Sequence, residues 1–120
     1  MNHPTNDELT DFLVATGAQS CRVVDLPTGH TQAVGDLTVG LPLLRVLIGT
    51  PSACRVLDSS LAGQLMPRVW TQGADSCVVW KPTADTLLLS IYLSLSGGSV
   101  EAYRKGKEAA GRVQALFRGA

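Results

Sequence analysis

Between Thr86 and Leu95 the chain alternates without a fault. Leu87, Leu89, Ile91, Leu93 and Leu95 fall on one face of an extended strand, and Leu88, Ser90, Tyr92 and Ser94 on the other. One face is wholly apolar and the other half-apolar, the pattern of a central strand covered by helices on both sides. At the front of the chain the period is helical. Leu9, Phe12 and Leu13 make one stripe, Thr5 and Glu8 have capping-box spacing ahead of it, and Gly17 offers a left-handed stop. These signals predict a helix over residues 6–16. Ser20–Leu26, with Val23 beside Val24, then reads as a strand, Pro27-Thr28-Gly29 as a tight reversal, and His30–Val34 as a less apolar strand suited to a sheet edge.

Leu43, Leu44, Leu47 and Ile48 resume the helical period. Past Gly49, threonine and proline in Thr50-Pro51 restart it as N-cap and first residue, and Cys54, Leu57, Leu61 and Leu65 carry it on. The prediction is a helical arm over residues 41–66, bent or broken near Gly49 and ended by Pro67. Arg68–Gln72 and Ser76–Lys81 follow as strands around the turn Gly73-Ala74-Asp75, and Pro82-Thr83-Ala84-Asp85 turns the chain into the alternating strand. A last helix is predicted over residues 99–117, with Val100, Tyr103, Lys107, Ala110, Val113 and Phe117 on its inward side. Gly106 and Gly111 are poor helix-interior residues within it. The order α-β-β-α-β-β-β-α predicts an α+β domain built on one sheet with helices on both faces.

Composition narrows the function more than it names it. A chain of 120 residues, 45% apolar and 17% charged, suits a single folded domain. A net charge of zero supplies no field toward nucleic acid or membrane. The last third is basic, with Lys81, Arg104, Lys105, Lys107, Arg112 and Arg118 against Asp85, Glu101 and Glu108. Interspersed signs of this kind read as a solvated helix face, with an acidic partner as the functional alternative. Cys21, Cys54 and Cys77 lie far apart, without metal spacing, and read as buried thiols of a reducing cytoplasm. The first twelve residues do not follow the order of a signal peptide, and no apolar run is long enough to span a bilayer. A cytoplasmic protein is expected.

Candidate chemistry is thin. His3 falls in a terminal segment and His30 beside a hairpin turn. A catalytic reading would need Cys21 brought to His30 across that hairpin, and a small buried hydrophobe is the better reading of Cys21. Asp25 and Asp36 occupy positions that turns prefer, and Gly97-Gly98 lacks the lysine and hydroxyl of a phosphate loop. No enzyme activity, metal or cofactor is expected. Trp80, after Val78 and Val79, reads as core. Trp70 shares a strand face with Arg68 and Gln72, so an interface anchor and a core residue are both open to it. The leucine arm is long for so small a domain and could meet its twin in a symmetric dimer.

Taken together, the first helix, the hairpin Cys21-Arg22-Val23-Val24-Asp25-Leu26-Pro27-Thr28-Gly29, the arm, and the run Arg68-Val69-Trp70-Thr71-Gln72-Gly73 feeding two strands resemble the roadblock/dynein light chain domain, of the bacterial small-GTPase regulator type. The resemblance covers nearly the whole chain. It implies a five-stranded antiparallel sheet, with the first and last helices on one face and the arm on the other. It implies a non-catalytic homodimer or heterodimer that binds or regulates a Ras-like small GTPase or a related signalling complex. It further implies a dimer interface on Leu44, Leu47, Leu57 and Leu61 of the arm and Val69 and Trp70 of the third strand. The break at Gly49-Thr50-Pro51 departs from the uninterrupted helix of that pattern. Other readings are a type III secretion-type chaperone, which tends to be acidic with three strands before its middle helix, and a small-molecule sensing domain of the PAS or profilin-like kind. A small enzyme using Cys21 is the remaining one.

Overall fold

The computed structural model describes residues 3–63, 66–93 and 98–117. Helix α1 spans Asn6–Thr16, strand β1 Ser20–Asp25, β2 Thr31–Gly35, helix α2 Leu41–Ile48, α3 Pro51–Leu61, strand β3 Arg68–Gln72, β4 Asp75–Thr83, β5 Thr86–Leu93, and helix α4 Gly98–Leu116. All strand pairs are antiparallel, and the spatial order is β2-β1-β5-β4-β3. The alternating strand is therefore central, as its two-faced apolar pattern requires, and β2 is an edge. The local signals for α1 are realised in full. Thr5 Oγ1 accepts from Glu8 N, Glu8 Oε1 accepts from Thr5 N, and Gly17 closes the helix at φ 75°.

Each face of the sheet has its own core. On one face, Leu9 and Phe12 of α1 and Ala102, Ala109 and Val113 of α4 cover Cys21, Val23, Val78, Trp80, Leu88 and Tyr92. Phe12 meets Trp80 edge-on, with ring centroids 6.0 Å apart. On the other face, Leu43, Leu44 and Leu47 of α2 and Leu57 and Leu61 of α3 cover Val24, Cys77, Val79, Leu87, Leu89 and Ile91. Beside this second core Arg22 is largely buried; its Nη2 donates to Leu37 O at 3.2 Å, Nη1 has no partner among the described residues, and burial lowers its pKa.

Three expectations are corrected. The arm is broken at Gly49 as expected, but its second helix ends at Leu61, well short of residue 66; Leu65 lies outside the described residues, as do Ser94, Leu95 and Gly97. Strand β4 runs on to Thr83, through Pro82, with the register to β5 shifting between Trp80 and Thr83. Proline brings no N–H to the ladder, so the pairing breaks there without ending the strand.

In α4 the expected inward positions hold for Val113 and Phe117 but not for Val100, Tyr103 and Lys107. Val100 is 76% exposed and Tyr103 also faces out, while Ala102, Gly106, Ala109, Val113 and Phe117 are buried. The helix lies so close to the sheet that a Cβ on Gly106 would stand 2.6 Å from Val78 Cγ1 and 3.2 Å from Pro67 Cγ. Close approach selects small residues for the contact.

Candidate interaction surface

Among the described residues, the chemistry-bearing side chains do not converge. Cys21 stands opposite Val34 in the β1–β2 ladder, whereas His30 lies at the far end of the hairpin, where its carbonyl accepts from Asp25 N at 2.9 Å. Burial pushes the Cys21 thiol up to about 12, and its hydrogen-bond contact is Ser90 Oγ at 3.8 Å. His3 Nε2 comes within 4.0 Å of Asp25 Oδ2. No group of three or more potential metal ligands is found among the described residues. None of the described helices is long and apolar enough to cross a membrane.

What the fold does build is a surface around the arm and β3. Among the described residues β3 pairs only with β4, so its outer edge presents unpaired backbone groups. Arg68 fastens this strand beneath the end of α3: its Nη1 donates to Ser60 O at 3.2 Å, and its guanidinium lies 5.8 Å from the centroid of the Trp70 ring. Trp70 is half-buried against the arm-side core, and Val69 is half-buried on the opposite face beneath α4. The two expected anchors thus flank the edge strand from its two sides.

Leu44, Leu47, Leu57 and Leu61 lie in the same quarter of the molecule but turn inward. They are between 1% and 6% exposed and rest on the sheet of their own chain. The reason is helical geometry. The stripe that an amphipathic helix buries is the one facing its sheet, and the complementary stripe faces out.

On that outward stripe lie Arg45, Val46, Ser52, Arg55, Val56 and Ser59, with Val46 68% and Val56 71% exposed. These residues were missed from sequence, although two valines on the polar side of the leucine period were a readable signal. The break that shapes the arm is capped as its residues dictate, Ala53 N donating to Thr50 Oγ1 at 3.1 Å ahead of Pro51. Lys81 ties α3 to the sheet through an ion pair with Asp58, and its Nζ also donates to Ala84 O at 2.9 Å.

Myxococcus xanthus MglB superposes with a TM-score of 0.64 over 96% of this chain and 95% of that one, at 14% identity. MglB with tetrameric arrangement gives 0.58 over 92% and 85%, at 18% identity. MglC from Myxococcus xanthus gives 0.57 over 90% and 98%, at 14% identity. This chain has the fold of MglB and MglC. No protein-family model matches the chain, and no curated protein matches it in sequence. At such identities the likeness is one of fold, and it agrees with the architecture that the resemblance to the roadblock domain implies: five antiparallel strands, α1 and α4 on one face, the arm on the other.

Proposed function

We propose that this chain is a non-catalytic, self-associating interaction module of the cytoplasm that binds or regulates a Ras-like small GTPase or a related signalling complex. The observation that carries this reading is the unpaired edge of β3 beside an arm whose outward stripe holds Val46 and Val56. Two-fold pairing of such an edge continues the sheet across two copies and satisfies its backbone groups. Small residues, Ser52 and Ser59, flank Val56 on α3 and let a second helix approach closely. The buried leucines then support the interface from beneath, with Val69 and Trp70 at its margin. The likeness in fold to MglB, which occurs in a tetrameric arrangement, and to MglC supports a module of this class.

Light scattering at micromolar concentration tests the self-association: about twice 12.7 kDa is expected. A clean monomer throughout that range would overturn it. Gel filtration with a bacterial Ras-like GTPase, loaded with GTP or with GDP, tests the partner. A co-eluting complex that depends on the nucleotide is expected, and co-elution with neither form counts against the GTPase.

A further inference from the structure

The break between α2 and α3 leaves a cavity of about 350 Å³ where Gly49, Thr50 and Pro51 pass over the end of the β1–β2 hairpin. Its floor is apolar, formed by Val24, Leu26, Ile48 and Cys54, and its charged lining is Arg55 and Asp58. The two charges are not equivalent. Asp58 is neutralised by Lys81. Arg55 has no carboxylate within ion-pair distance among the described residues, and its Nη2 donates only to the Ser52 hydroxyl at 3.2 Å. The lining therefore combines an apolar bed with one uncompensated cation.

We propose that this cavity binds a small amphipathic anion, a short aliphatic carboxylate, with its chain on the Val24–Leu26–Ile48 floor and its carboxylate on Arg55. The volume lies at the low end of small-ligand pockets, which bury an apolar body and orient it with a few polar groups. A guanidinium is suited to the head group because its paired N–H donors match the two oxygens of a carboxylate. The site shares Arg55 with the outward stripe of the arm but does not include Val46 or Val56, on which the proposed self-association rests. It adjoins the junction of the two arm helices, so an occupant would stiffen the junction and raise the protein's stability.

Octanoate, octylamine and octanol serve as probes on the intact chain, followed by amide chemical shifts and by thermal melting. Octanoate is expected to shift the amides of Leu26, Gly49, Cys54 and Arg55, with a Kd below about 1 mM, and to raise the melting temperature. Octylamine is expected to do neither, and octanol to bind more weakly. Arg55→Gln should weaken octanoate about tenfold, the loss of one charge-assisted contact at a partly solvated site, while leaving octanol unchanged. Leu26→Phe, by filling the floor, should weaken both. Should a variant fail to fold, the shift map on the unaltered chain still decides. Equal binding of octanoate and octylamine, shifts confined to other surfaces, or no shift at millimolar octanoate would each overturn the assignment.

Discussion

Gly106 and Gly111 sit five residues apart in one helix and have opposite worth. A Cβ at Gly106 would strike Val78 and Pro67, whereas one at Gly111 meets nothing within 4 Å. Gly106→Val is therefore expected to destabilise the fold by about 1–3 kcal/mol through overpacking. Gly111→Ala is expected to stabilise it by roughly 0.5–1 kcal/mol through helix propensity. Urea unfolding of both variants checks the pair. Burial raises Cys21 to about 12 and raises Cys77 as well, and the buried Tyr92 hydroxyl is shifted the same way. Above the ordinary thiol value of 9.0 the unfolded chain releases the two thiol protons while the folded chain keeps them. Stability is thus full below that pH and falls as the pH rises through the alkaline range. The limiting slope is about 1.4 kcal/mol per pH unit for each thiol. Urea midpoints compared at neutral and strongly alkaline pH should show the fall, and Cys77→Ala should make it shallower.

At the scale of elements, the arm shows how a few residues set a boundary that a longer pattern blurs. The leucine period runs past Gly49 as though one helix continued, but Thr50 turns extended, at φ −136°, and its hydroxyl caps a new helix. Thr50→Ala removes that cap and is expected to cost about 1 kcal/mol. Thr5→Ala breaks the capping box of α1 and is expected to cost a similar amount. Thermal melting of both variants, with circular dichroism to follow helix content, provides the measurement.

For the whole molecule the telling comparison is between two neighbours on α3. Val56 is 71% exposed on the outward stripe, and Leu57, 4% exposed, belongs to the arm-side core. Val56→Glu is expected to give folded monomers, because the charge meets only a partner's surface. Leu57→Glu is expected to unfold the chain, as Ile91→Glu does on the central strand, since an unpaired buried charge costs several kcal/mol. Gel filtration and circular dichroism separate these outcomes. A dimer that persists in Val56→Glu would move the interface away from α3.

Periodicity and caps, which are local, determined the order and type of the elements from the sequence alone, but not where α3 and β4 end. Helix α1 with its capping box, the hairpin at Pro27-Thr28-Gly29, the restart at Thr50-Pro51, and the central place of the strand from Thr86 all follow from residues close together in the chain. The sense of a face is different, because it depends on what an element is laid against. Only the tertiary structure decided that Ala102, Gly106 and Ala109, and not Val100 and Tyr103, face the sheet from α4. It also decided that the arm's leucines are spent on their own sheet, which leaves Val46 and Val56 outside. A leucine stripe reads the same from sequence whether it covers the chain's own sheet or a partner's. The distance between helix and sheet, fixed by packing across residues remote in sequence, tells the two apart.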